Sequence, residues 1–322
     1  MQKDYLYADA FETKNGVNIG TIQSPLNYIG GKYKLLPQIL PLFPKNINTF
    51  VDLFCGGANV GININSNRII LNDINKNLID LFYSFKNLGN DFISLVDEII
   101  TKYNLSQSFK HGYEYYNCYS NSGLAAHNRD KYLKLRRDFN NSHDINYYHY
   151  AMLYVLIVYS FNNQIRFNSQ GKFNLPVGKR DYNKRMQEKL KKFISRLSAK
   201  KYELSNFDFR EFNISQLPKN SFVYIDPPYL ITCATYNEQN SWNTQDEKDL
   251  LYFLDSLHKS NIKFALSNVL KNKNKENIIL KNWINLNNNK HKVIKLNHSY
   301  RNSNYQIKHK DSITEEVLVI NY

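Results

Sequence analysis

The chain has 322 residues, 42% of them hydrophobic, enough for one large domain or two smaller ones with a real core and too many for wholesale disorder. A formal net charge of +14, spread along the chain, favours a polyanionic partner: nucleic acid first, an anionic membrane second. No apolar stretch reaches about 18 residues, so a membrane-spanning helix is not expected. The three cysteines, Cys55, Cys118 and Cys233, are odd in number and far apart, with neither a disulfide framework nor a metal-ligand spacing.

Residues 1–24 are polar and irregular and read as a loose leader with no apolar signal core. NYIGGKYK (27–34) then sets Gly30 and Gly31 between Tyr28 and Lys32. A Walker-type phosphate loop needs Gly at 26 and Ser or Thr at 33, where this chain has Leu26 and Tyr33, so that reading fails. What survives is a flexible turn flanked by an aromatic face and an ammonium. These suit an adenosine-bearing ligand with a carboxylate, or simply make a surface turn.

TFVDLF (49–54) reads as a strand feeding the glycine-rich turn CGGANVG and then a helix, with Asp52, Phe54, Gly56 and Gly57 at the carboxyl end, where open α/β sheets bind ligands. The glycine spacing is wrong for a dinucleotide fingerprint. RIILND (68–73) is a second strand, ending at Asp73, which by the same geometry can reach ribose hydroxyls. A plain βαβ turn is the alternative. NKNLIDLFYSFKNL (75–88) has helical spacing at Leu78, Leu81, Phe82 and Phe85.

From about 90 to 200 helical patterns dominate: DFISLVDEII, KYLKLRRDF and the apolar HYAMLYVLIVYSF, too short to span a membrane and read as buried. Residues 162–181 read as an exposed loop or ribbon. RMQEKLKKFISRL (185–197) puts Met186, Leu190, Phe193, Ile194 and Leu197 on one face and basic residues on the other. Nine Lys/Arg against two acids within 180–201 suit phosphate contact, or a solvated helix face.

Strand patterns return after 200 at KYEL, SFVYI, IKFALS, HKVIKL and EEVLVIN, with a helix over 244–260 whose N-cap is expected at Thr244 and whose capping box at Glu247. Strands alternating with helices predict an α/β domain with a mostly parallel sheet, interrupted by a helical block. The predicted division is a catalytic unit of residues 1–76 and 199–322 with residues 77–198 inserted.

FVYIDPPYLI (222–231) ends a strand on an acid fixed by two prolines. Proline restricts both its own φ and the residue before it, so Asp226 and Pro227 are pushed towards extended geometry. The carboxylate and the Pro227 carbonyl can then act as paired acceptors, with Pro228 completing the corner and Tyr229 adding a π face. That arrangement suits an NH₂ group on a planar ring; a Pro-Pro turn closing a strand is the plainer reading.

Together NYIGGK, FVDLFCGGA, LND and IDPPY resemble the Dam-like (D12, alpha-group) adenine-specific DNA methyltransferases, in the same order and from about residue 25 to the C-terminus. NSQGKFNLPVGK (168–179) is similar to the N-x-x-G-x-F-N-x-P-x-G segment of that family's DNA-reading region. Two positions depart: Tyr28 stands where members often carry Trp, and Ala58 replaces the second loop glycine.

The resemblance implies a Rossmann-like methyltransferase sheet with an inserted, mostly helical DNA-recognition domain. It implies S-adenosylmethionine as methyl donor, without a metal, at a site of Tyr28, Gly30, Gly31, Lys32, Asp52, Phe54, Gly56, Gly57, Asp73 and Asp226. The catalytic residues would be Asp226, Pro227, Pro228 and Tyr229, methylating N6 of an adenine flipped from duplex DNA and stacked on Tyr229. No covalent intermediate is needed, and Cys233 reads as a packing residue. Arg166, Asn168, Gln170, Lys172, Asn174, Lys179 and Arg180 are the candidate DNA contacts, Arg and Lys suiting guanine, Asn and Gln adenine. HSYRNSNYQIKHK (298–310) is a further basic, aromatic candidate, or a polar hairpin.

Double-stranded DNA is the implied partner. A cognate restriction endonuclease is a second one if the chain serves restriction–modification rather than acting alone. The implied setting is a bacterial or phage-like cytoplasm. The competing readings are an RNA adenine-N6 methyltransferase and a non-catalytic DNA-binding relative.

Overall fold

The computed structural model describes residues 12–14, 17–118, 123–199, 202–232, 242–297 and 314–322. Residues Glu12–Lys14 (β1) and Val17–Ile19 (β2) pair antiparallel, and a short helix, Leu36–Ile39 (α1), follows the Gly-Gly turn. Thr49–Asp52 (β3) and Arg68–Asn72 (β4) start the main sheet. The helices Lys76–Leu88 (α2), Asn90–Lys102 (α3), Ser108–His111 (α4), Ala125–Asn140 (α5), Tyr147–Tyr159 (α6) and Lys184–Ala199 (α7) come next. Tyr202–Ser205 (β5), Ser221–Ile225 (β6), Thr244–Lys259 (α8), Lys263–Asn272 (β7), Lys275–Glu276 (β8), Ile278–Leu286 (α9), Lys292–Leu296 (β9) and Thr314–Ile320 (β10) complete the chain.

The sheet runs β5-β4-β3-β6-β7-β10-β9, with β8 paired to β7. The first five strands are parallel, and β10 is antiparallel to both of its neighbours. Both faces are covered, as a parallel sheet requires. The pleat sorts the side chains: Phe50, Ile69, Leu71, Phe222, Tyr224 and Leu318 join one core cluster, while Val51, Ile70, Val223, Ile225, Val317 and Val319 join the other. The first face is closed by a ring cluster in which Phe43 lies 4.7 Å from Phe222 and 5.6 Å from Tyr224, centroid to centroid. Truncating one such buried phenylalanine costs about 3–5 kcal/mol. The second face is covered by α8 and α9.

The first cluster continues without a break into α2, α3, α5, α6 and α7, so a separate core does not mark residues 77–198 off from the sheet. Helix α6 is buried all round and packs against α2, α3 and α5, in keeping with its uninterrupted apolar sequence. Helix α2 starts where the Asn75 side chain accepts from the Leu78 amide and stops at Gly89, φ +55°.

Four sequence-based expectations change. The glycine turn after β3 leads not to an α-helix but to a single 3₁₀ turn, Gly61–Asn63, because the chain must re-enter the sheet at β4 within a few residues. Helix α8 is capped by Asn243, with Asp246 completing the capping box. Glu247 instead turns inward to accept from the Trp242 indole and the Asn277 amide. The leader is not loose throughout: residues 12–19 include the β1–β2 pair, and Ser24 is buried. Nor is the segment 162–181 exposed throughout, since Phe173, Leu175 and Asp181 anchor it in the core.

Candidate active site and nucleic-acid face

Parallel strands β4, β3 and β6 lie side by side, and each delivers one acid to the carboxyl edge: Asp73 just after β4, Asp52 as the last residue of β3, and Asp226 just after β6. The strand order reverses between β3 and β6, where an open α/β sheet forms its crevice.

Asp52 is 2% exposed, and its Oδ2 accepts from the Gly61 amide at 2.9 Å. Burial pushes its carboxyl up to about 8, the Gly61 N–H opposes this, and the neighbouring Asp226 and Asp73 raise it further. A side chain at 61 would meet Leu71 Cδ2 at 2.3 Å, so only glycine brings this amide so close.

Asp73 braces the glycine turn, its Oδ2 accepting from the Gly56 amide and its Oδ1 from the Asn75 amide, both at 2.9 Å. Burial raises its carboxyl, and these two amides oppose the rise. The Tyr28 ring lies directly over the turn: a Cβ at Gly56, φ +47°, would sit 2.8 Å from Tyr28 Cδ1. Gly57 packs under Tyr28 Cβ and Ser24 Oγ. Burial pushes the Tyr28 hydroxyl well above its ordinary range. Ala58 occupies the left-handed region at φ +56° and is fully buried. Buried Cys55 is pushed up by desolvation first and then by Asp73 and Asp52; Cys233 lies outside the described residues.

Asp226 Oδ1 receives two donors, the Lys32 ammonium at 2.8 Å and the Tyr229 hydroxyl at 2.9 Å. Lys32 also donates to the Gly30 carbonyl at 2.9 Å, and its Nζ lies 4.9 Å from the Tyr229 ring centroid. Burial raises the Asp226 carboxyl, and Lys32 and Tyr229 counter it. Pro227 and Tyr229 are buried, and Pro228 is exposed. The Gly-Gly element and the D-P-P-Y corner are therefore one site, joined by the ion pair.

Sequence reasoning missed several members of this edge. Asn72 amide donates to the Leu53 and Phe207 carbonyls and accepts from the Phe207 amide and the Ser205 hydroxyl, fastening three strand ends together. Phe54 meets Phe209 at 5.5 Å and Trp242 at 5.8 Å, forming an aromatic wall beside the acids. Glu316, on β10, is 2% exposed, 3.9 Å from Lys32 Nζ and 3.4 Å from the Tyr229 hydroxyl. In sequence it is one of two adjacent acids opening the apolar final strand, with nothing to single it out. Among the described residues, no group of three or more His, Cys, Asp or Glu is placed to hold a metal ion. No helix there is long and apolar enough to cross a membrane.

The candidate DNA contacts form a braced ribbon. Phe167 and Phe173 bridge antiparallel, and Asn168 Oδ1 accepts from the Gln170 and Lys172 amides across a turn completed by Gly171, φ +71°. Arg166 Nε donates to Asn174 Oδ1 at 2.8 Å, which ties these two side chains together across the ribbon. Arg166, Gln170, Lys172, Lys179 and Arg180 are exposed. Asn140, the last residue of α5, pairs with both backbone groups of buried Phe173. Asp181 is buried and accepts from the Ser106 hydroxyl and from the Ser108 amide and hydroxyl, fixing Arg180 beside it. The ribbon meets the Gly-Gly element where the Asn27 amide donates to the Asn162 carbonyl at 2.7 Å. Beside that junction a cleft of about 170 Å³ is lined by Arg180, Arg185 and Lys189 among others. Burial, and then Arg185, lowers Lys189 to about 8. Lys200, Lys201 and the segment 298–310 lie outside the described residues.

Residues 28–297 match the model of the D12 class N6 adenine-specific DNA methyltransferases. The chain is 42% identical over 311 residues to modification methylase StsI of Streptococcus sanguinis, covering 94% of this chain and 43% of that protein. It is 38% identical over 335 residues to type II methyltransferase M.FokI of Planomicrobium okeanokoites, covering 100% of this chain and 47% of that protein. It is also 27% identical over 250 residues to the DNA adenine methylase of Escherichia coli K12, covering 76% of this chain and 79% of the relative. The chain thus spans less than half the length of the two modification enzymes it matches.

Proposed function

The chain belongs to the D12 class of N6 adenine-specific DNA methyltransferases, and from that premise we propose that it methylates N6 of adenine in double-stranded DNA, using S-adenosylmethionine. The observation that carries this reading is the Asp226 corner, a carboxylate held at the switch point between Lys32 and Tyr229.

The residues suit such a cosubstrate. S-adenosylmethionine supplies an electrophilic methyl group on a sulfonium, and cationic groups fit an edge that gathers Asp52, Asp73 and Asp226. Tyr28, Gly30, Gly31, Lys32, Phe54, Gly56 and Gly57 complete the proposed binding set. The tight glycine turn beneath Tyr28 supports close backbone approach, and Phe54 with Phe209 and Trp242 supports an aromatic contact.

In the proposed reaction Asp226 and the Pro227 carbonyl accept from the adenine NH₂, favouring a tetrahedral nitrogen whose lone pair faces the methyl group. Alignment contributes much of the rate. The carboxylate stabilises the positive charge that develops on nitrogen. Pro228 stiffens the corner, and Tyr229 flanks the extruded base. Insert residues 77–198, with 1–76 and 199–322 as the catalytic unit, would hold the duplex through Arg166, Asn168, Gln170, Lys172, Asn174, Lys179 and Arg180. The exposed Arg166, Gln170, Lys172, Lys179 and Arg180 are the best supported of these. A restriction–modification role, with a nuclease acting on the same site, follows from the names of the similar modification enzymes.

Transfer of labelled methyl groups to unmethylated duplex DNA, with RNA in parallel, tests the reading. N6-methyladenine in DNA, lost in Asp226→Asn, is the expected result. Transfer to RNA alone, or to neither polymer, would overturn it.

A further inference from the structure

The two donors on Asp226 face a second carboxylate. Lys32 Nζ is 2.8 Å from Asp226 and 3.9 Å from Glu316; the Tyr229 hydroxyl is 2.9 Å from Asp226 and 3.4 Å from Glu316. Glu316 is brought inward where the β10–β7 register shifts between Glu315 and Glu316, and its side chain is 2% exposed. Its neighbour Glu315 instead pairs with Lys295 at the surface.

Both donors land on Oδ1, filling that oxygen and drawing negative charge from the whole carboxylate, so Asp226 in this state is a weaker acceptor for a neutral amine than a free carboxylate, even at Oδ2. We infer that Glu316 is the alternate acceptor for Lys32 and the Tyr229 hydroxyl, drawing both off Asp226 when the adenine amine arrives. Glu316 is thus assigned as a positioning residue that acts through the two donors. The exchange needs movements of about 1 Å, within the reach of a lysine rotamer and a small ring tilt. It also keeps the buried ammonium paired throughout, as a low-dielectric site demands. This inference rests on the reading of Asp226 as the amine acceptor.

The charged and titratable groups around Asp226 are Lys32 from the Gly-Gly element, Tyr229 from its own corner, Tyr224 on β6, Asp52 on β3 and Glu316 on β10. Glu316 raises the Asp226 carboxyl, and the Tyr229 hydroxyl lowers it. Glu316→Gln should therefore do two things in single-turnover transfer to unmethylated duplex DNA. The rate should fall about tenfold or more while the S-adenosylmethionine Kd stays within about threefold. The acid limb of the pH–rate profile should move to lower pH, because Asp226 ionises more readily once the neighbouring charge is gone. Glu316→Asp should restore both.

A role confined to packing would lower the unfolding midpoint and leave the limb where it was. A wild-type rate, or a reduced rate with an unmoved limb, overturns the inference. Should Glu316→Gln fail to fold, Tyr229→Phe keeps the ring and removes one donor. Its acid limb should move to higher pH, and an unmoved limb again counts against the exchange. Asp226→Asn separates the two levels of argument. If it still transfers methyl groups, the reading of Asp226 itself is wrong. If it is inactive while Glu316→Gln behaves as wild type, only the donor exchange is wrong.

Discussion

Lys32 and Asp226 close an ion pair of 2.8 Å between two segments 194 positions apart, with side chains 3% and 16% exposed. Lys32→Met leaves the carboxylate buried without its ammonium, at a cost of about 3 kcal/mol when it is ionised. The loss depends on pH with a definite sign. Asp226 is already raised in the fold, and removing Lys32 raises it further. The folded carboxyl then holds its proton to higher pH than the unfolded one, so destabilisation grows as pH rises and disappears below about pH 4. Urea unfolding of both proteins at pH 5 and pH 8 measures this. An equal difference at the two pH values would contradict the pairing.

Asp52 gives S-adenosylmethionine binding its own pH dependence. Burial holds this carboxyl near about 8, with Asp226 and Asp73 adding to the effect. A cationic ligand favours the ionised form, so affinity should fall as pH drops below about 8, by up to about tenfold per unit. Titration calorimetry between pH 6 and pH 9 reads the slope. Asp52→Asn should bind weakly with a shallower slope, and a wild-type slope in that variant would remove Asp52 from the site.

The sheet was legible because its strands carry their own punctuation: SFVYI ends on Asp-Pro-Pro, RIILN on an acid, and each alternates between two buried faces. Proline geometry pointed to an extended Asp226 corner, with a plain Pro-Pro turn as the alternative until the family resemblance was added. The Lys32–Asp226 pair could not be read, since spacing along the chain says nothing about which strand ends become neighbours. Glu316 was hidden for the same reason, appearing in sequence as one of two equivalent acids until the register shift turned it inward. Asn243 and Thr244 are adjacent and both residue types cap well, so composition alone does not say which of them caps α8. Only the fold shows Glu247 committed to Trp242 and Asn277.

Ala58 marks a strained link in the glycine turn. At φ +56° a residue with a Cβ costs about 1–2 kcal/mol, and the extra freedom of glycine in the unfolded chain offsets about half of that. Ala58→Gly should therefore stabilise the protein by about 0.5–1 kcal/mol, read as a higher urea midpoint with an unchanged m-value. A lower midpoint would mean that the alanine methyl makes packing contacts worth more than the strain.

Asn140 tests whether the ribbon owes its DNA contacts to its shape. Its amide donates to the Phe173 carbonyl at 3.0 Å and its carbonyl accepts from the Phe173 amide at 2.9 Å, pinning the strand that carries Asn174 back towards Arg166. Asn140→Ala leaves both backbone groups part-buried and unpaired, a loss of about 1–3 kcal/mol confined to this segment. Trypsin should then cut faster at Lys172, and the DNA Kd should rise about tenfold while S-adenosylmethionine binding is unchanged. Because no cation is removed, the slope of log Kd against log salt should stay the same. A changed slope would mean that the substitution displaced phosphate-binding side chains, and an unchanged Kd would mean that the ribbon does not touch the duplex.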